Sequence, residues 1–320
     1  MDRPAAPSRF PYPPYANGWF RALHSSELAP GEVKALSLLG RALVAFRGED
    51  GVARVFDAHC PHLGAHLGVG GRVEGDAIRC PFHGWLWDGD GRCVEIPYAK
   101  RIPPKARIRA WRVVERNGVV FLHHDAEGRP PAYEVPAFPE CASPEWTPLE
   151  ARRWTVRSRW LDMNENCVDR AHFRFVHGTP YIPEAKVEVE GHVFRVINQV
   201  KMNTPRGVIE GTLTTTDYGP ALQTVHITGA VDTFMLNTAT PIDDEASDVS
   251  FAYSVRQPPG GEQKGVGAAR IRDLEHQFEQ DRAIWENKAY WERPQLCDGD
   301  GSFAVYRRWM WQFFDAAPPA

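Results

Sequence analysis

Short runs in which apolar and polar positions alternate dominate the first third of the chain. Ala42–Gly48 (ALVAFRG), Val52–Ala58 (VARVFDA) and Gly118–His124 (GVVFLHH) are rich in β-branched and aromatic residues and are bounded by Gly, Asp or Asn. That pattern predicts strands joined as hairpins. The stretch 127–146, EGRPPAYEVPAFPECASPEW, holds five prolines and no clear periodicity, and predicts a linker. Beyond it the period changes. A helical segment is expected over about 161–176, strands over 186–202, 207–218, 222–231 and 247–257, and a long helix over about 268–290. The expected fold class is therefore α+β: an all-β domain over 1–140 (core about 17–125), then an α+β domain over 141–320 with an antiparallel sheet flanked by helices.

Composition narrows the function classes. A 43% apolar and 24% charged chain of 320 residues is ordinary for a globular protein, and its net charge of −4 points to neither nucleic acid nor an anionic membrane as partner. No run of about 18 apolar residues is present, so no membrane span is expected. The proline-rich N-terminus lacks the apolar stretch of a signal peptide, and the expected location is the cytoplasm. In that reducing compartment the cysteines at 60, 80, 93, 141, 167 and 297 point to metal binding before disulfides, above all the two that stand beside histidines.

Those two lie in CPHLGAHLGVGGRVEGDAIRCPFHGWLW (Cys60–Trp87). Cys60-x-His62 and Cys80-x-x-His83 each offer one thiolate and one imidazole from a tight loop, with a glycine-rich spacer of 17 residues between them. A structural Cys₂His₂ zinc site could use such a set. A Rieske [2Fe–2S] cluster requires it, with two cysteines on one iron and two histidines on the other. Pro61 and Pro81 after each cysteine, and Gly64, Gly68 and Gly84, favour backbone wrapped closely around inorganic sulfide. His59 and His66 fit no ligand pair and read as loop residues, while Cys93 reads as a buried thiol.

A second constellation, Asp169-x-x-His172-x-x-x-x-His177, lies in MNENCVDRAHFRFVHGTPY. Asp169 and His172 share a helical face, but His177 falls about 140° away on an ideal helix. The two histidines converge only if the helix ends or bulges, for which Gly178 and Pro180 offer an ending. A carboxylate is then needed to complete a facial triad for Fe(II). Along the C-terminal helix an apolar stripe runs Ile271, Leu274, Phe278, position 281, Trp285, and position 281 is an aspartate. An acid on a core-facing stripe needs a partner, either a metal ion or a buried arginine.

CPHLGAHLG followed by CPFHGWLWDGDG resembles the Rieske domain of ring-hydroxylating and related oxygenases. QDRAIWENKAYWERPQLCDGDGSFAVYRRWMWQFF is similar to the C-terminal region of the subfamily that holds the 3-ketosteroid 9α-hydroxylase oxygenase component and the cholesterol 7-desaturases. The resemblance implies His172, His177 and Asp281 as iron ligands, and Cys60, His62, Cys80 and His83 as ligands of the [2Fe–2S] cluster. It implies Asp169 as the carboxylate bridging toward a neighbouring subunit's cluster, Asn166 as a residue behind the iron ligands, and a homotrimer. It also implies O₂ as cosubstrate, and NAD(P)H electrons relayed by a separate reductase or ferredoxin, since no dinucleotide-binding unit is evident here. The implied substrate is hydrophobic and steroid- or sterol-like, to be hydroxylated or desaturated, with residues between Thr179 and Val255 such as Tyr181, Phe234 and Met235 lining its pocket. A small aromatic or secondary metabolite as substrate is the alternative, and an electron carrier without oxygenase activity is the alternative of another class.

Overall fold

The computed structural model describes residues 9–204, 207–257 and 265–315. Trp19–His124 form one compact unit, and the chain up to Gly18 joins that from Asp125 onward in a second.

In the first unit ten short strands arise from the hairpin pattern. They are β1 (Gly18–His24), β2 (Val33–Leu38), β3 (Arg41–Arg47), β4 (Ala53–Asp57), β5 (Arg72–Glu74), β6 (Ala77–Arg79), β7 (Leu86–Trp87), β8 (Cys93–Glu95), β9 (Val113–Arg116) and β10 (Val119–His124). They make three small sheets, β1-β10-β9, β2-β3-β4 and β5-β6-β7-β8. The expected strands at 42–48, 52–58 and 118–124 are β3, β4 and β10. One core holds the last two sheets together: Val44, Phe46, Phe56, Ile78 and Trp87 bury their side chains against Cys60 and Cys80.

The second unit is built on a seven-stranded antiparallel sheet in the order β11-β17-β16-β15-β14-β13-β12. Its strands are β11 (Glu150–Val156), β12 (Ala185–Glu190), β13 (Val193–Thr204), β14 (Gly207–Tyr218), β15 (Leu222–Ile227), β16 (Thr233–Pro241) and β17 (Ser247–Val255). The register sets Phe194, Asp217, Gln223, Asn237 and Phe251 opposite one another in a row from β13 to β17. Because side chains alternate along a strand, the residues two further along form a parallel row on the same face, Thr215, Val225, Met235 and Tyr253. The helices are α1 (Trp160–Asn164), α2 (His172–Phe175), α3 (Val266–Trp285) and α4 (Phe303–Trp311). Helix α3 lies against this sheet: Phe278 stacks on Trp154 at 4.0 Å and meets Phe251 edge-on at 5.0 Å.

Four expectations are revised. The 186–202 segment is a hairpin, turned at Gly191, whose φ is 52°. The proline-rich stretch is packed onto the second unit, where Tyr133 stacks on His192 at 4.3 Å and Phe138 meets Tyr218 and Phe234. The compact units part after His124. The helical segment 161–176 is broken into α1, a 3₁₀ turn over Glu165–Cys167 and α2. Helix α3 ends at Trp285, not near 290: the Asn287 amide donates to the Ala283 carbonyl at 2.8 Å, a side-chain bond that competes with further helix. None of the six cysteines is in a disulfide. Among the described residues no helix is long and apolar enough to cross a membrane.

Candidate metal centres and the cavity between helices and sheet

The break in the helical segment is what brings the second constellation together. Asp169 Oδ1 accepts the backbone N–H groups of Ala171 (3.0 Å) and His172 (3.2 Å), so its side chain ties down the turn that leads into α2. Its backbone carbonyl faces His172 Nδ1 at 2.5 Å; that nitrogen must donate, which leaves Nε2 with the lone pair. At the far end the His177 N–H reaches back five residues to the His172 carbonyl (3.3 Å), a turn wider than an α-helix, and Gly178 follows in the left-handed region at φ 71°. This wide turn swings His177 onto the face of His172. Gln280 Oε1 accepts from His177 Nδ1 at 2.9 Å and exposes Nε2 in the same way.

Asp281 completes the group from α3, with Oδ2 3.4 Å from His177 Nε2. The donor atoms of His172, His177 and Asp281 all lie within 4.8 Å of one another, and among the described residues no other three His, Cys, Asp or Glu converge so closely. The stripe that placed Asp281 inward is present, with Ile271, Phe278 and Trp285 buried. Asp281 Oδ1 is buried without a hydrogen-bond partner. Burial holds the His172 ring below its ordinary pKa, which keeps it neutral. For His177 burial acts the same way, but the Asp281 carboxylate and Gln280 outweigh it and raise the value. A buried ion network ties this segment to α4 and to the chain after α3: Arg307 Nε lies 2.5 Å from Glu165 Oε1, and Lys288 Nζ lies 3.1 Å from Asp162 Oδ1. Asn166 Oδ1 accepts the Trp285 indole N–H at 3.2 Å.

In the first unit the two Cys–His loops are built alike. The Gly64 N–H closes onto the Cys60 carbonyl (2.9 Å) and the Gly84 N–H onto the Cys80 carbonyl (3.2 Å), with both glycines left-handed at φ 76° and 71°. A side chain on either would be strained there. The cysteines are buried and adjacent, and burial first, then the neighbouring Cys80, pushes the Cys60 thiol up to about 11. The histidines sit further out, their rings 4.8 Å apart, with His62 stacked on Trp85 at 4.5 Å. His59 and His66 pair off the loops, where His66 Nδ1 accepts the Gly68 N–H. Cys93 is a buried thiol beside the Glu95 carbonyl.

A cavity of about 150 Å³ opens beside His172, His177 and Asp281, between α1–α3 and the sheet. Of the three expected lining residues only Met235 belongs to it. Phe234 points to the opposite face against Phe138 and His226, and the Tyr181 hydroxyl donates to the Lys201 carbonyl at 3.1 Å. The cavity's sheet wall is polar along one row and apolar along the next. Gln223 and Asn237 form the first, and Val225 and Met235 the second. Behind the polar row Asp217 is fully buried; burial raises its carboxyl to about 7 against the opposing hydrogen bonds from Gln223 and Asn164.

Comparison with known proteins gives the chain its family. Residues 18–112 match the Rieske [2Fe–2S] domain, and residues 122–314, more than half of the chain, match the 3-ketosteroid 9α-hydroxylase C-terminal domain. The chain belongs to the Rieske oxygenases of the 3-ketosteroid 9α-hydroxylase family. It is 35% identical over 94% of its length, and 80% of the relative's, to a probable 3-ketosteroid-9-alpha-monooxygenase oxygenase component of Rhodococcus rhodochrous. It is 32% identical over 96% of its length, and 73% of the relative's, to a cholesterol 7-desaturase of Xenopus laevis. A dicamba monooxygenase crystal structure shares the fold with a TM-score of 0.77 at 20% identity, covering 93% of this chain and 97% of the other.

As a Rieske oxygenase the protein is an oxidoreductase that uses a Rieske [2Fe–2S] cluster, a mononuclear iron and O₂, with electrons from NAD(P)H passed on by a reductase. Its residues suit both groups. Two buried thiols beside each other and two outer imidazoles, spread too widely for one ion, match the two ends of a diiron cluster, and His83 Nδ1 is buried without a partner. The orphaned Asp281 Oδ1 and the two oriented Nε2 atoms match a facial triad. Gln280 and the row from Asp217 to Asn237 escaped the sequence reading. Polar residues alternating in a strand read as solvent-facing until the register shows that they meet.

Proposed function

We propose that the chain is the oxygenase component for a steroid- or sterol-like substrate, which it hydroxylates or desaturates at an Fe(II) held by His172, His177 and Asp281. Cys60, His62, Cys80 and His83 hold the cluster. The observation that carries the reading is the convergence of the three donors on a cavity to which the sheet contributes apolar Val225, Ile227 and Met235 and α3 contributes Phe278 and Trp285. The cluster supplies single electrons and the iron supplies the O₂ chemistry. The chain's own residues orient and enclose. Asp169 and Gln280 turn the two histidines, while Trp160, Phe278 and Trp285 keep water from the reacting C–H bond. Asn166 acts behind the ligands by holding the Trp285 ring.

The proposed assembly is a homotrimer in the cytoplasm with Asp169 at the junction between subunits. In support, the second Asp169 oxygen has no partner among the described residues. The partner is a reductase, directly or through a ferredoxin.

Anaerobic purification with iron and sulfide analysis tests the metal assignment: about three irons per chain are expected, two in the cluster and one mononuclear. Steroid-dependent O₂ uptake with NAD(P)H and a reductase tests the activity. Two irons per chain with no uptake of added Fe(II) would return the protein to electron carriage. O₂ uptake driven by small aromatic compounds and not by steroids would replace the substrate class.

A further inference from the structure

The polar row on the cavity wall has a direction, and it is set from behind. Asp217 Oδ1 accepts from Asn164 Nδ2 at 2.8 Å and from Gln223 Nε2 at 3.1 Å. At pH 8, above its raised value of about 7, Asp217 is a carboxylate and only accepts, so both amides turn their nitrogens toward it. Asn164 is held the same way round by donating to the Tyr306 hydroxyl at 2.8 Å and by accepting from Gln223 Nε2 at its own oxygen. With its nitrogen committed, Gln223 has only Oε1 for its other neighbour, and it accepts from Asn237 Nδ2 at 3.1 Å. Asn237 is thereby turned with its oxygen away from the relay. That atom is buried and has no partner, although the residue lines the cavity and is only 2% exposed. Leaving such an acceptor unmatched is unfavourable, because burial strips it of water and returns no donor.

We infer that Asn237 Oδ1 is the acceptor for a hydroxyl group of the substrate, so that the site takes a steroid alcohol in preference to the corresponding ketone. This rests on the steroid reading above and sharpens it. A ketone brings only acceptors and would face an oxygen with an oxygen, whereas an alcohol supplies the missing donor. The row is built into three neighbouring strands by the pairs Asp217–Gln223 and Gln223–Asn237, so its polarity is a property of the sheet register and not of a mobile loop.

The test is an equilibrium titration of the iron-loaded protein at pH 8 with a steroid alcohol and with the ketone of the same carbon skeleton. Quenching of Trp160 and Trp285, which line the cavity, is the readout. The alcohol is expected to bind at least about tenfold more tightly, the equivalent of about 1.4 kcal/mol. Asn237→Leu should bring the two affinities together. Asp217→Asn, which frees the relay to point either way, should shrink the preference to about threefold or less while both ligands still bind. Equal affinities in the wild type, a ketone preference, or a preference that survives in both variants would overturn the hydroxyl assignment alone. If neither steroid binds, the steroid reading falls and this inference with it.

Discussion

At the scale of single residues, the site depends on side chains whose surroundings oppose their chemistry. Asp217 is a fully buried acid, and burial raises its carboxyl from the ordinary 3.8 to about 7. Between about pH 4 and about pH 7 the folded chain therefore favours its protonated form, and above about 7 the carboxylate prevails. Its contribution to stability is greatest below the unfolded value, is lost as pH climbs from about 4 to about 7, and is absent above that range. The loss is on the order of 4 kcal/mol. In Asp217→Asn this loss disappears, so the fall in melting temperature between pH 5 and pH 8 should be shallower than in the wild type; parallel curves would mean that Asp217 is solvated. Asp281 was legible in the sequence because an acid interrupts an apolar helical stripe. Gln280 was not: it is one residue away, and nothing in the stripe marks its contact with His177.

At the scale of elements, the wide turn closing α2 is the decisive device. Its position is guarded by Gly301, where an added Cβ would collide with the Val168 carbonyl just ahead of Asp169. Gly301→Ala should push this segment off register and lower the mononuclear iron content at least severalfold while the two cluster irons remain; full iron occupancy would show that the loop yields. Helix and strand existence was largely readable where the period was clean, as in β14 and α3. Strands β11 and β16 went unread for opposite reasons. β16 is buried at all nine positions and so shows no alternation, and its Thr and Asn residues disguise a core strand as polar. β11, EARRWTV, carries Glu150, Arg152 and Arg153 among its first four residues because it is an edge strand, exposed along much of its length. The helix break was anticipated only as a condition for His177 to reach the site. The turn that Asp169 ties down there depends on contacts no periodicity reports.

At the scale of the whole molecule, the large sheet remains open at both ends of its strand order, with β11 at one end and β12 at the other. A free strand edge offers unpaired N–H and C=O groups to any similar strand. β12 reads AKVEVE, so Lys186, Glu188 and Glu190 recur at every second position. Lys186 and Glu188 pair at 2.7 Å, and Arg195 of β13 reaches Glu188 at 3.2 Å. For a second chain to add here, those charges would have to be stripped of water beside their own copies. Replacing Lys186, Glu188 and Glu190 together by threonine or valine should leave the cavity and its ligands untouched yet raise light scattering on storage, and unchanged scattering would clear this edge of the role. The alternating charges on β12 thus act as a safeguard against fibre growth, keeping a sheet meant to enclose one substrate from becoming a template for its own kind.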